Sequence, residues 1–396
     1  MLQKEFDRAK TRSERGKIAW MAGESCSKMG LTESANKWYR AAADNQFGPD
    51  ALRAAAFGLK KTEKYTEAAD AFKQLGIEIG SPYEYKKEIT NCKIAADWLA
   101  QAPRTGVSIE PVGFNSAAND FGTARFSDGR LVFTSDRKSA IGKENYRWTG
   151  QKFMDIFVAD VGSSYAQPFD NQLNTQANEG SPTFNASGNT IFFVRAVTEK
   201  KGGDALNKIF VSHRDGDGWE EPEMLDFQKE KVNYVSPAVS ADGQTLFFAA
   251  NDPEGWGGFD LYFSKKKVDE DGWQTPTLLP RNINTTGDER FPTLDGDTLY
   301  FSSDGLAGMG GLDIFKTYKM DKTNWAPPQN LRSPINSGAD DFGILMEKKA
   351  NLDKNLLGAG WFTSNRPGGQ GSDDIYFFTK KTPPPLPRIR KRLGLA

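Results

Sequence analysis

The sequence contains very little histidine and cysteine, which narrows the chemistry available to it. Its 396 residues include one histidine, His213, and two cysteines, Cys26 and Cys92. A single histidine cannot build a His-based metal site or a repeated Ser-His-Asp arrangement. Two cysteines, both in the first quarter of the chain, are too few for a disulfide framework and lack metal-ligand spacing. We therefore expect no metal site, no cofactor and no catalytic residues.

Long apolar runs and an excess of one charge are also lacking. Residues 1–21 are rich in lysine and arginine, with no stretch apolar enough for a signal peptide or a membrane-spanning helix. The 51 basic side chains balance 52 acidic ones, and the isoelectric point is about 6.1. Such a balance gives no overall field that would attract nucleic acid or an anionic membrane. We expect no nucleic-acid partner and no transmembrane segment.

Glycine, proline and aromatic residues are plentiful and are arranged in a repeat. There are 39 glycines and 20 prolines, and 12% of the residues are aromatic, which suits short strands joined by tight turns. The clearest copy, residues 291–315, contains a short strand, the turn Asp295-Gly296, an apolar strand, a glycine-rich loop and a third strand. Asp-Gly favours the positive φ angles that a tight hairpin needs. Each copy therefore predicts three consecutive antiparallel strands.

Two independent alignments give five copies of this unit. Five phenylalanines mark the second strand and five Ile or Leu residues mark the third, recurring at intervals of about 50–60 residues. The marker residues are Phe133, Phe193, Phe248, Phe301 and Phe362, and Ile156, Ile209, Leu261, Ile314 and Ile375. A small sheet cannot cover its own edges and apolar face, so the repeat predicts a β-propeller. Five blades are favoured; six would require a degenerate unit in 138–152 or 347–357.

Residues 1–102 differ in composition, being rich in alanine, glutamate, lysine and leucine with apolar residues at helical spacing. Residues 65–72 resemble the second helix of a tetratricopeptide repeat, where small alanines allow close helix packing beside an aromatic side chain. The pattern indicates two repeats, near 16–47 and 50–80, and a looser third. Ordinary helical-hairpin packing is the alternative, because the Trp and Gly positions of the family's first helix are poorly kept.

A proline divides the chain into domains. Pro103 ends the helical pattern because proline cannot donate a hydrogen bond and the residue before it avoids helical angles. Residues 107–116 look like the segments that close the later blades, whereas the last unit stops after three strands. We predict that 107–116 supplies the missing outer strand and removes an open sheet edge. The predicted α+β multi-domain chain thus comprises a helical domain (1–102), a linker (103–106), a propeller (107–380) and a Pro-rich basic tail (381–396).

The motifs resemble a known family. Residues 291–315, and Thr363 to Gly369 followed by Asp374-Ile375-Tyr376, are similar to the propeller repeats of TolB-like periplasmic proteins. Together with tetratricopeptide-like helices, they resemble the outer-membrane-associated periplasmic component of the Bacteroidetes type IX secretion system. The OmpA-like domain of that family has no counterpart in this sequence, so peptidoglycan binding is not implied.

The resemblance implies a non-enzymatic scaffold for protein–protein interaction in a cell-envelope assembly. Its partners would be other envelope or secretion-system proteins, and it would lie in the periplasm, associated with the outer membrane through those partners. The alternative is a carbohydrate-active or peptide-cleaving propeller enzyme, because propellers host such sites and two carboxylates suffice for glycoside hydrolysis.

Polar residues collect at one predicted face of the propeller. The loop leading into the first strand of a blade and the loop joining its second and third strands lie on the same face, because each strand reverses direction. We predict that this rim binds a basic or polar partner, although each acid could instead cap its own turn or pair with the neighbouring arginine. The lead-in loops carry Asp120, Glu179, Asp288, Glu289, Asp340 and Asp341, and the second loops carry Asp136, Arg137, Arg195, Asp304, Asn365 and Arg366.

Overall fold

The computed structural model describes residues 2–29, 31–101, 106–141, 152–198, 204–268, 270–321 and 324–382. Within these ranges the chain forms a run of helices and then five antiparallel sheets. The predicted linker lies outside them except for Gly106, and the predicted tail except for residues 381 and 382. Most of the stretch 138–152 is also outside the described residues.

Six helices occupy the described part of the N-terminal region, each packed against the next along the chain. Alanines at the contacts, such as Ala19, Ala42 and Ala68, are fully buried and allow this close approach. The helical prediction is confirmed, and the likeness to tetratricopeptide repeats stays a prediction. No described helix is both long and apolar enough to cross a membrane. The helices are α1 (Leu2–Arg8), α2 (Arg12–Lys28), α3 (Thr32–Asp44), α4 (Pro49–Lys61), α5 (Tyr65–Glu78) and α6 (Lys86–Gln101).

The strands form five sheets, which confirms five blades. Blade 1 consists of β2 (Asp120–Arg125), β3 (Leu131–Ser135), β4 (Asp155–Ala159) and β5 (Gln167–Pro168). Blade 2 consists of β6 (Glu179–Phe184), β7 (Thr190–Thr198), β8 (Ala205–Asp215), β9 (Gly218–Trp219) and β10 (Glu223–Met224). Blade 3 consists of β11 (Tyr234–Val239), β12 (Thr245–Ala250), β13 (Asp260–Lys265) and β14 (Thr277–Leu278). Blade 4 consists of β15 (Glu289–Asp295), β16 (Thr298–Ser303), β17 (Asp313–Tyr318) and β18 (Gln329–Asn330).

Blade 5 joins the two ends of the propeller. Its strand order is β1 (Val107–Pro111), β21 (Asp374–Lys381), β20 (Leu356–Ser364) and β19 (Asp341–Met346). Val107 pairs with Lys380 and Pro111 with Tyr376, so the segment before blade 1 supplies the outer strand of the last blade. This confirms the predicted closure. The stretch 347–357 contains a short 3₁₀ turn rather than a sixth blade.

The marker residues of the repeat lie where the alignment places them. All five phenylalanines and all five Ile or Leu residues have no exposed surface. They sit on the second and third strands, which carry the longest apolar runs and are covered on both faces by neighbouring blades. Burial of these side chains between blades is the main reason that the ring holds together.

Each inner strand contains a bulge at the same place. Register shifts interrupt the pairing of β2, β6, β11, β15 and β19 with their neighbours after the second residue. The third residue of each strand has a positive φ, between 50° and 66°. Glycine adopts this backbone conformation without strain. In three of the blades the position is occupied by a residue with a side chain, for which the conformation is strained. The five bulged residues are Gly122, Ser181, Ser236, Phe291 and Gly343.

The helices contact the propeller at blades 4 and 5. Met309, from the loop between β16 and β17, has no exposed surface and belongs to the same apolar cluster as Leu59, Phe72 and Cys92 of the helices. At Gly338 any side chain would collide with carbonyl oxygens at the end of α4. The contact is therefore tight and partly apolar.

Candidate functional site

The inner strands all begin at one face of the ring, which we call the upper face. Their first residues are Asp120, Glu179, Tyr234, Glu289 and Asp341, and none is more than 3% exposed. Each of the four acids accepts a backbone and a hydroxyl hydrogen bond from a Ser or Thr four residues earlier. Four of the predicted rim acids are thus buried, and each holds its own lead-in loop through these hydrogen bonds.

Arginines from the second loops complete these caps. Arg137 reaches Asp120 at 2.6 Å, Arg195 reaches Glu179 at 2.9 Å and Arg366 reaches Asp341 at 2.7 Å. Each guanidinium also lies over two aromatic rings of its blade, at centroid distances between 5.0 and 5.3 Å. Because both the charge and the donors are used within the blade, these arginines have little capacity left for a ligand.

The other rim residues form hydrogen bonds within the loops of this face. Asp136 accepts hydrogen bonds from the backbone and side chain of Asn119, and Asp340 and Asn365 exchange two. Asp304 accepts from the backbone of Asp288. The structure therefore brings the predicted residues together on one face but leaves only Asp304 of them classed as exposed. Partner binding through this rim stays a prediction.

A second set of buried acids begins the third strands. Asp155, Asp260, Asp313 and Asp374 are at most 1% exposed, and each uses one carboxylate oxygen to hold backbone N–H groups of the preceding loop. The other oxygen, Oδ1, is buried without a hydrogen-bond partner in all four. Burial raises the pKa of each, that of Asp155 to about 6, and a carboxylate of the neighbouring strands adds to the effect.

Sequence reasoning missed a ring of buried amides. Asn115, Asn174, Asn284 and Asn336 each accept from the backbone N–H, and donate to the backbone C=O, of one residue on a third strand. Gln228 does the same for blade 2. The sequence does contain a pattern that marks these asparagines. Each of the four stands five residues before the acid that begins a first strand, and each is followed by Ser or Thr.

A cavity of about 380 Å³ lies in the centre of the ring. All five inner strands line it, from their bulged residues to the hairpins at the face opposite the helices, which we call the lower face. Its size falls within the range of about 300–1,000 Å³ that is typical of ligand pockets. The side chains that line it include hydroxyl and amide groups of Ser127, Thr183, Asn185 and Thr293. No described group of three or more acidic, histidine or cysteine side chains is arranged to hold a metal ion.

One carboxylate lines the lower rim of this cavity, and a second, on the next blade, is paired with an arginine that lines it. Asp295 ends β15, is exposed and lines the cavity. Glu347 follows β19 directly and is ion-paired with Arg125 of blade 1, which lines the cavity. The Arg125 guanidinium lies 4.7 Å from the ring centroid of the buried Trp361. Two charged side chains are therefore fixed across the seam between blades 1 and 5, and one of them, Arg125, lines the same cavity as the exposed Asp295.

Comparisons with known proteins give structural likeness alone. No protein-family model and no curated protein matches the sequence. An α-L-arabinofuranosidase from Lactobacillus brevis is 12% identical, with 67% of this chain and 93% of that chain covered and a TM-score of 0.44. A putative TolB from Agrobacterium tumefaciens is 12% identical, with coverages of 70% and 98% and a TM-score of 0.38. A family 117 glycoside hydrolase from Zobellia galactanivorans is 13% identical, with coverages of 70% and 90% and a TM-score of 0.41. Identities this low concern the fold only.

The comparison corrects the expected function. We expected a non-enzymatic scaffold of a cell-envelope assembly within the type IX secretion machinery. The similar solved structures are mostly glycoside hydrolases, and nothing among them supports type IX secretion. This finding contradicts the non-enzyme and scaffold expectations and agrees better with the alternative, a propeller enzyme, which stands as a proposal. The TolB-like resemblance retains a structural counterpart.

Proposed function

We propose that this protein is a carbohydrate-active propeller that takes a sugar unit in its central cavity. The observation that carries the proposal is the cavity itself, which is closed by five inner strands and combines hydroxyl, amide and carboxylate groups. A sugar presents many hydroxyl groups, each of which can donate and accept, so a site of this composition can satisfy them.

Hydrolysis of a glycosidic bond would use Asp295 and Glu347. Glycoside hydrolysis needs one carboxyl group as a proton donor and a second as a base or nucleophile. Arg125 is ion-paired with Glu347 and holds its carboxylate in place. Asp295 is exposed and lines the cavity, so its carboxyl group can meet a leaving-group oxygen.

Peptide cleavage by a Ser-His or Cys-His pair has no support at this site. The single histidine lies on β8, where its Nδ1 is 3.1 Å from the hydroxyl of Thr190. The two cysteines belong to helices α2 and α6. The cavity therefore favours an enzyme that uses carboxylates over one that uses a Ser-His or Cys-His pair.

The test is turnover of a panel of aryl glycosides and plant or algal oligosaccharides by the full chain. Asp295→Asn and Glu347→Gln should each lower kcat by at least about a hundredfold while the melting temperature is kept. Asp242→Asn is the matched control, because Asp242 occupies the equivalent turn of blade 3 outside the cavity lining. Absence of both binding and turnover for every sugar, or full activity in both variants, would contradict the proposal.

A further inference from the structure

A second cavity, of about 560 Å³, lies at the lower face between blades 1 and 2, and we call it the side crevice. Its walls include the hairpin that joins β2 to β3, the hairpin that joins β6 to β7 and the turn that follows β8. Phe126 and Ser127 line both the side crevice and the central cavity, so the two are direct neighbours.

The ridge between the central cavity and the side crevice is low. The hairpins of blades 1 and 2 meet there through Ser127 and Gly188, so closely that a Cβ atom at Gly188 would collide with the serine side chain. Gly188 also has a φ of 71°, which glycine adopts without strain. Because neither residue has a large side chain, a chain molecule can pass over this ridge from the cavity into the crevice.

An arginine of the side crevice is held in place by stacking. Arg214 pairs with Trp219 on the next strand, and its guanidinium lies 5.4 Å from the ring centroid of Trp219 and 5.9 Å from that of Phe126. Blade 4 has the same arrangement, with Lys319 opposite Trp325 and 5.8 Å from its ring. The stacked cation is therefore a feature of the blade. What differs in blade 2 is that the cation offers a planar fork of donors and lines a cavity, whereas Lys319 lines neither cavity.

The charges in the side crevice are of both signs. Asp128 is ion-paired with Arg130 of its own hairpin at 2.7 Å, and one oxygen of Asp170 accepts a backbone N–H of its own loop at 2.7 Å. Arg214 and Asp217 are exposed, and among the described residues neither side chain is held by a hydrogen bond or an ion pair. Together they offer paired donors and paired acceptors without adding net charge.

A neutral sugar unit fits these groups. Two adjacent sugar hydroxyls can accept from two N–H groups of a guanidinium, or donate to the two oxygens of a carboxylate. Ser187 and Asn189 add a hydroxyl and an amide to the lining. An anionic ligand fits less well, because the crevice holds three carboxylates against two guanidinium groups.

We infer that the side crevice binds a further unit of a neutral sugar chain whose reacting unit occupies the central cavity, so that the substrate is an oligosaccharide. The inference rests on the proposed function of the central cavity. It adds a second point of attachment, through Arg214 and Asp217, which a single sugar cannot reach.

Titration calorimetry with linear xylose-, arabinose- and glucose-based oligosaccharides of one to five units tests the dependence on chain length. The full chain carries Asp295→Asn, so that the sugars are bound and not consumed. For a series that binds, the affinity should rise on the order of tenfold at the length that first reaches the side crevice.

An affinity that does not rise with length would overturn the inference and leave the proposed function standing. Failure of every series to bind would also overturn it, and turnover of aryl glycosides by the parent chain then decides whether the proposed function falls with it.

Two variants test whether the side crevice is the source of the gain. Arg214→Lys keeps a positive charge beside Trp219 but removes the planar fork, and Asp217→Asn removes a carboxylate at an exposed position. Each should remove most of the gain for longer chains and leave the affinity for a single unit unchanged. Lys319→Ala is the matched control, because it removes the stacked cation of blade 4, and it should keep the full gain.

A gain that survives both crevice variants, or that Lys319→Ala also removes, would overturn the inference. Melting temperatures show whether each variant is folded. If Arg214→Lys is not, Asp217→Asn still decides, because its side chain is exposed and its loss affects only what the crevice can bind.

Discussion

At the junctions between blades, a single buried amide replaces a strand partner. Asn284 accepts from the N–H of Leu261 at 2.8 Å and donates to its C=O at 3.0 Å, and it donates to Leu279 as well. The side chain thereby satisfies backbone groups of a third strand at a point where the fourth strand of the blade is only two residues long. Buried backbone groups without a partner are costly, so these amides are a condition for such short outer strands.

We predict that Asn284→Ala destabilises the protein by about 1–3 kcal/mol, since it leaves the buried N–H of Leu261 without an acceptor. The melting temperature should fall by roughly 2–4 °C in scanning calorimetry. Asn189→Ala is the control, because Asn189 is exposed, and its effect should stay within about 0.5 kcal/mol. Equal melting of the two variants would show that the amide has no structural importance.

At the scale of elements, β1 is a short strand with a large consequence. It pairs with β21 along its whole length, and the segment that follows it places Phe114 on Phe133 of blade 1 at a ring distance of 4.9 Å. Without β1, the edge of β21 would be an unpaired ladder in the last blade.

We predict that deleting residues 107–111 broadens the melting transition and causes self-association, because β21 would then present an open edge. Calorimetry and light scattering would measure the two effects. Ser108→Ala and Glu110→Ala alter exposed side chains of β1 while keeping its backbone pairing, so both should melt like the parent protein. A sharp, unshifted transition in the deleted chain would show that closure does not stabilise the ring.

The blades could be predicted from the sequence because their second and third strands are covered on both faces. The positions that Phe301 and Ile314 occupy must be apolar in every blade, because they are fully buried. Apolar residues therefore recur there at a regular interval, which is visible in the sequence. The first strand is different. Its bulge at Phe291 redirects the side chains before and after it, and no residue type marks the bulge in all five copies. The burial of Glu289 could not be foreseen for that reason, since a one-residue shift in register exchanges exposed and buried faces.

The cavity was not predicted for a related reason. Its rim is assembled from residues far apart in sequence, with Arg125 of blade 1 beside Glu347 of blade 5. Neither residue belongs to the repeat pattern, and their contact exists only because β1 closes the ring. The residues of the upper rim, in contrast, could be placed on one face from the direction of the strands alone. The sequence left open whether Asp120 pairs with Arg137, as the structure shows, or binds a partner.

For the whole molecule, the buried acids of the third strands set a pH dependence. Burial, with the nearby charge of Glu179, raises the pKa of Asp155 to about 6, whereas in the unfolded chain it would titrate near about 4. The folded state therefore binds a proton that the unfolded state releases between these values. The stability contributed by this group is present in acid and is lost as pH rises through about 6.

We predict that the melting temperature of Asp155→Asn depends less on pH than that of the parent protein between pH 4 and 7. Relative to Asp155→Asn, the parent should lose roughly 3 °C or more over this range, because it must ionise a buried carboxyl group. Asp215→Asn, at an exposed position of blade 2, should follow the parent curve. Parallel curves for the parent and Asp155→Asn would contradict the prediction.

The closure of blade 5 also determines how the propeller responds to mechanical load. The backbone N–H of Lys381 donates to the C=O of Gly106 at 2.9 Å, so the chain enters and leaves the ring at neighbouring points. A pull applied between the helical domain and residue 382 would act on the same end of the antiparallel pair β1 and β21. Such a pull separates one residue pair after another instead of loading all of them at once. The seam that gives the ring its thermal stability would therefore be its weakest point under tension.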